Sequence, residues 1–280
     1  MDAEVKTLDR QMKAWDVVSR TDNMHVLPST WAFRCKRFPD GTVRKLNTRF
    51  CVRGDRQIEG VDYFETFAPV VQWATVRLLL IFTIHLNLAN IQVDYTSAFL
   101  HIDIDQEVFI EMPRGYKDPG KVLKLKKSLY GLKQSPRNFF LHLKSKLESL
   151  DFIQSSADPC LFIRSDMICL VYVDDCIFFS TDDSKFGDML SQLRKADLTI
   201  EREDNVAGFL GVHLNIDHTD GTIELTRVGL IDRIVSAMGL TDATEIKTPA
   251  EYGALQKDED GENCDTSFNY PSIVVMLLYL

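Results

Sequence analysis

The chain has 280 residues, enough for one large or two small domains with a real core. Its 45% hydrophobic and 26% charged content is that of an ordinary globular protein, and a net charge of −9 argues against generic attraction to nucleic acid. Met1-Asp2-Ala3-Glu4 opens no apolar signal segment, and the most apolar stretch, Val76 to Val93, is broken by Arg77, His85, Asn87 and Asn90, so it reads as a core helix and excludes a membrane span.

In chain order, a short helical pattern comes first, around Leu8, Met12 and Trp15, within thirty polar residues. From Trp31 to Val52 the residues alternate, turn at Pro39-Asp40-Gly41 and alternate back, which predicts a β-hairpin with basic side chains on both arms. An apolar helix is expected over 70–88, then a short strand Ile91-Gln92-Val93 ending at Asp94, then a strand over Glu107 to Glu111. Ser135-Pro136 predicts a helix start, with Ser as cap and Pro in the first turn, followed by Phe139, Leu143, Leu147 and Leu150 at helical spacing.

The next segment, Ile168 to Phe179, is apolar except that Asp174 and Asp175 sit side by side inside it, with no Lys or Arg in the run. Burying one carboxylate costs several kcal/mol unless something neutralises it, and two neighbours also repel. A divalent metal at the tip of a hairpin is one solution; an ordinary surface turn with Asp-Asp at its apex is the other. A helix follows from about Ser184, with Phe186, Met189, Leu190 and Leu193 on one face. Strands over Phe209 to Ile216 and Thr222 to Thr226 and a helix with Leu230, Ile231, Ile234, Val235 and Met238, stopping at Gly239, complete the pattern. Residues 241–267 are polar and acidic, and the apolar segment Tyr270 to Leu280 reads as the start of an element.

This order predicts an α+β fold built on a split βαβ sheet with helices on one face. In such a sheet a strand end can lie beside a neighbouring hairpin tip, so Asp94 is expected within several Å of Asp174 and Asp175. Three carboxylates at a sheet rim would hold two hard divalent cations, and a pair roughly 3.5–4 Å apart clamps the oxygens of a phosphoryl displacement. The charge distribution agrees. Residues 31–60 carry eight Lys/Arg against three acids and residues 114–146 ten against one, whereas 147–280 carries nine against twenty-five. Two basic blocks on an acidic chain suggest a local polyanion site; solvated faces that happen to cluster are the bland alternative. None of the six cysteines forms a C-x-x-C pair or a zinc spacing with histidine, as in reduced intracellular proteins.

These residues bring a family into view. Trp31-Ala32-Phe33 with Pro39-Asp40-Gly41, Arg49 to Gly54, Asp62 to Val70, Gln92 to Leu100, Leu129 to Pro136, Tyr172-Val173-Asp174-Asp175, Phe209 to Val212 and Tyr270 to Leu280 occur in one order over most of the chain. The chain thereby resembles the reverse transcriptase of copia-type long-terminal-repeat retrotransposons. The resemblance implies a right-hand polymerase with fingers, palm and partial thumb and a ferredoxin-like palm sheet. It would comprise a 1–28 extension, a 29–240 polymerase region and a 241–280 linker with a truncated connection segment. It implies Asp94, Asp174 and Asp175 as catalytic ligands of two Mg²⁺ or Mn²⁺ ions. Arg49, with Lys45 as helper, would grip the deoxynucleoside triphosphate; Tyr130 and Gly131 would pack against it. Phe99, half exposed to the cleft, would exclude a ribose 2′-hydroxyl. Tyr172 would lie near the primer terminus, Phe209, Leu210 and Gly211 would form the primer grip, and Lys124, Lys126, Lys127 and Lys133 would face template phosphates.

An RNA or DNA template with primer is then the partner, without a membrane, alongside ribonuclease H or integrase in a longer polyprotein. The location would be intracellular, in the cytoplasm or a virus-like particle. Two positions depart from the family: Asn47-Thr48-Arg49 replaces Lys-Ala-Arg, and Val275 stands where glycine is usual. An inactive remnant and a two-metal nuclease are the competing expectations; the nuclease predicts neither an aromatic gate nor a primer grip.

Overall fold

A computed structural model describes residues 1–37, 43–116, 118–203, 212–217, 219–244, 246 and 269–279. The chain divides into two compact units, Met1–Val206 and Ala207–Leu280. The expected turn at Pro39-Asp40-Gly41, the strand start at Phe209 and most of the 241–267 segment lie outside the described residues.

The first unit opens with helix α1 (Asp2–Lys6), which runs into a π-type turn at Thr7–Gln11. The helical spacing of Leu8, Met12 and Trp15 does not continue: Lys13 turns left-handed at φ 48°, and Trp15 begins strand β1 (Trp15–Ser19). Burial decides this. Trp15 meets Phe50 edge-on at 5.8 Å, a contact a continuing helix would not make. Then come β2 (Val26–Leu27) and the expected hairpin, β3 (Ser29–Arg37) with β4 (Val43–Val52). Its register runs from Ser29 opposite Val52 to Lys36 opposite Lys45, so Trp31 faces Phe50 and packs on it at 5.2 Å.

Helix α2 (Trp73–His85) is shorter than the expected 70–88 span, because Asn87 turns left-handed at φ 49°. Strand β5 (Ala89–Tyr95) carries Asp94 one residue from its end. β6 is only Phe109–Ile110, and β7 (Lys121–Leu125) has no clear signal in the sequence. The two join β1 and β2 in a four-stranded sheet of order β1-β7-β6-β2. One cluster of Leu8, Trp15, Leu27, Phe50, Ile110 and Leu123 fills its face, so the N-terminal residues share a core with the hairpin.

Helix α3 (Ser135–Glu148) begins where Ser135-Pro136 predicts, with Phe139, Leu143 and Leu147 buried. Ser135 is not its cap. Gln134 occupies that position, and the Ser135 hydroxyl donates instead to the Leu129 carbonyl at 2.7 Å. Next come β8 (Ile153–Gln154), β9 (Leu161–Arg164), β10 (Met167–Tyr172), β11 (Asp175–Ser180), α4 (Lys185–Lys195) and β12 (Ile200–Glu203). Phe186, Met189, Leu190 and Leu193 of α4 are buried, as their spacing requires.

The six-stranded sheet has order β12-β5-β11-β10-β9-β8. Its first four strands with α3 and α4 follow the chain order β5-α3-β10-β11-α4-β12, the split βαβ arrangement expected. The fold is α+β. This topology sets the first strand between the fourth and the third, and so brings β5 beside β11.

The second unit contains the hairpin β13 (His213–Asp217) with β14 (Thr222–Thr226). The Asp217 carboxylate accepts from the Thr219 amide at 2.8 Å and the Asp220 amide at 3.1 Å, which closes the turn. Helix α5 (Val228–Ala237) is followed by Gly239 at φ 68°, the left-handed stop expected there. Helix α6 (Tyr270–Leu278) is capped by Asn269, whose side chain accepts from Ser272 N at 3.1 Å. Among the described residues no helix is long and apolar enough to cross a membrane.

Candidate active site

The hairpin between β10 and β11 turns on two residues, Val173 and Asp174, with Tyr172 and Asp175 paired at its base. Val173 sits at φ 54°, which a β-branched residue adopts only under constraint. Part of that constraint is a hydrogen bond from the Tyr95 amide to the Asp174 carbonyl at 2.9 Å, which ties the turn to the end of β5. On the adjoining pair of strands Asp175 lies directly opposite Asp94, and directly opposite residues in an antiparallel pair have Cα atoms about 4.5–5.5 Å apart. The structure thus brings Asp94, Asp174 and Asp175 to one rim. Opposed residues share a sheet face, so Asp94 and Asp175 point the same way, as does Tyr172.

Buried Gln92 supports the pair from below, its side-chain amide donating to Asp175 Oδ1 at 3.2 Å. On the opposite face Tyr95 is buried, and that burial, with Cys176 and Cys169 beside it, pushes its phenol well up, so it stays neutral. A fourth acid carries no motif that marks it in the sequence. Glu201 of β12 pairs with Asp94 from the other side and lines the same cleft. Among the described residues no three His, Cys, Asp or Glu side chains close on one point as they would around an ion. The donors are nonetheless carboxylate oxygens, the type a hard divalent cation takes, so the set suits such a cation in chemistry.

The cleft, about 490 Å³, is lined by Glu4, Arg49, Asp94, Tyr130, Asp174 and Glu201 among others. The Arg49 guanidinium stacks 4.5 Å from the Tyr130 ring centroid. Burial pushes the Tyr130 phenol up; Arg49 pulls against that, while Asp174 and Asp94 add to the rise. The cation and the carboxylates therefore act on one ring. Tyr130 is fixed by its neighbour. Gly131, at φ 91°, lies so close to β4 that a Cβ there would come 2.1 Å from the Val52 carbonyl oxygen, and the Val52 amide donates to the Tyr130 carbonyl at 2.9 Å.

Phe99 departs from expectation. It is buried, 8% exposed, with its ring edge-on to Tyr130 at 5.0 Å and to Phe139 at 6.0 Å. Tyr130, half-buried, lines the cleft instead. Phe99→Val should accordingly act as a core truncation and cost about 2 kcal/mol in denaturant unfolding.

Lys133 is also drawn away. Its ammonium lies 4.7 Å over the Tyr63 ring and donates to the Gln57 carbonyl at 3.4 Å, while its amide donates to the Gln57 side chain at 2.7 Å. In the second basic block Lys124 meets Glu107, Lys126 meets Asp16 at 3.3 Å, Lys127 meets Asp103 at 2.8 Å and Arg137 meets Glu65. Such exposed pairs are weak and exchangeable. Lys45 lies in β4 opposite Lys36; its side chain, like Phe209, Leu210 and Gly211, is outside the described residues.

The Retrovirus-related Pol polyprotein from transposon TNT 1-94 of Nicotiana tabacum is 28% identical over 89% of this chain. That from transposon RE1 of Arabidopsis thaliana is 28% identical over 95%. The Transposon Ty1-NL2 Gag-Pol polyprotein of Saccharomyces cerevisiae is 34% identical over 66%. The chain spans 19%, 18% and 11% of their lengths. Among solved structures, a foamy viral protease-reverse transcriptase in complex with double-stranded DNA aligns with TM-score 0.42 and 16% identity, over 81% of this chain and 34% of that one. A model of the family described as reverse transcriptase (RNA-dependent DNA polymerase) matches residues 12–252, and the chain belongs to that family, in the branch of the copia-type retrotransposons.

Proposed function

We propose that this chain is an RNA- and DNA-templated DNA polymerase that joins deoxynucleoside triphosphates to a primer. The observation that carries the reading is the cross-strand pairing of Asp94 with Asp175, together with the cleft that Asp94 and Asp174 line with Arg49 and Tyr130. Asp94, Asp174 and Asp175 would hold two Mg²⁺ or Mn²⁺ ions, which when bound lower the pKa of the primer 3′-hydroxyl and neutralise the leaving pyrophosphate. Arg49 binds the triphosphate through its planar fork of donors, with Lys45 as helper. Tyr130 and Gly131 form the floor beneath the nucleotide. Phe99 backs the Tyr130 ring, so exclusion of a 2′-hydroxyl belongs to the two rings together. Tyr172 lies at the primer terminus, Phe209, Leu210 and Gly211 hold the primer strand, and the basic block with Lys133 exchanges its surface pairs for template phosphates. In a longer polyprotein, ribonuclease H and integrase segments would accompany this domain within a virus-like particle in the cytoplasm.

A second reading, a catalytically inactive remnant, is favoured by Asn47. It lines the cleft where the resemblance calls for lysine, so the triphosphate loses a cation. Primer extension on RNA and DNA templates separates the two. A polymerase extends the primer with deoxynucleotides in Mg²⁺ and stops on chelation; a remnant extends nothing. Shortening of the strands without extension would favour a nuclease.

A further inference from the structure

We propose that Glu4 is a positioning residue for Arg49, bracing strand β4 so that the guanidinium is held over Tyr130 at the nucleotide end of the cleft. The proposal rests on the nucleotide-site reading above. It gives a role to residues that the sequence places in an extension outside the polymerase region.

Helix α1 packs beside β4, and Met1, Ala3 and Glu4 line the cleft together with Asn47, Thr48 and Arg49. The helix is anchored independently of the cleft. Asp2 accepts from the Tyr116 hydroxyl, Leu8 is buried just beyond, and Val5 packs on the core that holds Phe50. From this fixed base Glu4 reaches β4. Its carboxylate accepts a hydrogen bond from the Phe50 backbone and lies in the field of Arg49. Half-burial pushes the Glu4 carboxyl up, and the Phe50 amide and Arg49 only partly offset it. With α1 packed beside β4 and Glu4 on the same cleft wall as Arg49, this bond to Phe50 ties the strand to the anchored helix.

Arg49 needs such a brace. Its side chain is long, exposed and rich in rotamers, and a guanidinium already aligned loses less freedom when it grips a phosphate. Tyr130 supplies one wall for the plane by stacking. Glu4, through Phe50, sets the height of the strand from which Arg49 springs. The charge of Glu4 also opposes a triphosphate, so the hydrogen bond and not the charge is the useful part.

Glutamine keeps the acceptor and removes the charge; alanine removes both. In steady-state primer extension, Glu4→Ala should raise KM for nucleotide about tenfold with kcat nearly unchanged, and Glu4→Gln should stay within about twofold of the parent. In the Arg49→Ala background, Glu4→Ala should add nothing further, because the two act as one unit. The proposal is overturned by an unchanged KM in Glu4→Ala, or by additive effects of Glu4→Ala and Arg49→Ala. A second readout needs no catalysis: ¹⁵N relaxation of the Arg49 Nε–H should show a rigid group in the parent and in Glu4→Gln, and a mobile one in Glu4→Ala. Equal mobility in all three removes the brace. A parent that extends no primer while Arg49 order depends on Glu4 loses the polymerase reading and keeps the brace; a parent that polymerises with Arg49 indifferent to Glu4 loses the brace alone. Should Glu4→Ala not fold, Glu4→Asp, one methylene shorter, fails the same reach and is read the same way.

Discussion

Asp94→Asn should lower primer extension by at least about a thousandfold, close to 4 kcal/mol of transition-state stabilisation, and leave the protein as stable as before or slightly more so. The two halves of this expectation have one cause. Asp94 and Asp175 are directly opposed across β5 and β11, and like charges placed so destabilise a sheet by about 0.2–1 kcal/mol. Asparagine has the same shape, so it keeps the packing, relieves the repulsion and removes the anionic oxygen that a cation and a primer hydroxyl would require. Loss of activity with gain of stability marks a site kept for its chemistry. The check is extension rate together with a urea unfolding curve on the same samples. Retention of a tenth of the parental rate would remove Asp94 from the catalytic group. A large loss of stability would instead make it a structural residue.

Asp94 and Asp175 can be connected from the sequence because both sit at strand ends whose apolar runs are unmistakable, and because a split βαβ order leaves few ways to pair them. The hairpin Trp31 to Val52 and helix α4 are also legible, the first from the alternation of Trp31 to Lys36 and the second from its period of 3.6. What stays hidden depends on partners far away in the chain. β1 and β7 pair across about a hundred residues, Trp15 with Leu125 through Ser19 with Lys121, and neither segment announces the other. The spacing of Leu8, Met12 and Trp15 fits a helix; only the left-handed turn at Lys13 and the buried contact with Phe50 reverse it. Ser135 has the right residue type for a cap, but the Leu129 carbonyl takes its hydroxyl instead. Phe99, five residues after Asp94, suggests an open gate by position alone. Its exposure is set by Tyr130 and Phe139, which arrive from other elements. Glu201 carries the same lesson. Alternation in Ile200-Glu201-Arg202-Glu203 shows that Glu201 and Glu203 share a face, yet not that this face is the one bearing Asp94.

Gly131→Ala should destabilise the first unit by about 3 kcal/mol or more and raise KM for nucleotide at the same time. Two costs combine. The left-handed backbone at φ 91° penalises any Cβ by about 1–2 kcal/mol. The added methyl would also come within 2.1 Å of the Val52 carbonyl oxygen and 3.1 Å of the Val52 nitrogen, and both are backbone atoms that cannot swing aside. Strand β4 would have to lift from the 129–132 loop, breaking the bond from the Val52 amide to the Tyr130 carbonyl, at about 1–3 kcal/mol if the groups stay buried. Gly54 would lose its seat too, since it packs so near the Gly131 carbonyl that a Cβ on it would come 2.0 Å from that oxygen. Lifting β4 moves Arg49 away from Tyr130, which is why nucleotide affinity should fall with stability. Gly120→Ala separates the two costs. Gly120 is left-handed at φ 76°, and an added methyl would have nothing within 4 Å, so it carries the backbone penalty alone. Urea unfolding of both variants should show Gly131→Ala the worse by about 2 kcal/mol. Equal losses would mean that the loop and the strand can part at little cost, and the placement of Arg49 over Tyr130 would then need another cause.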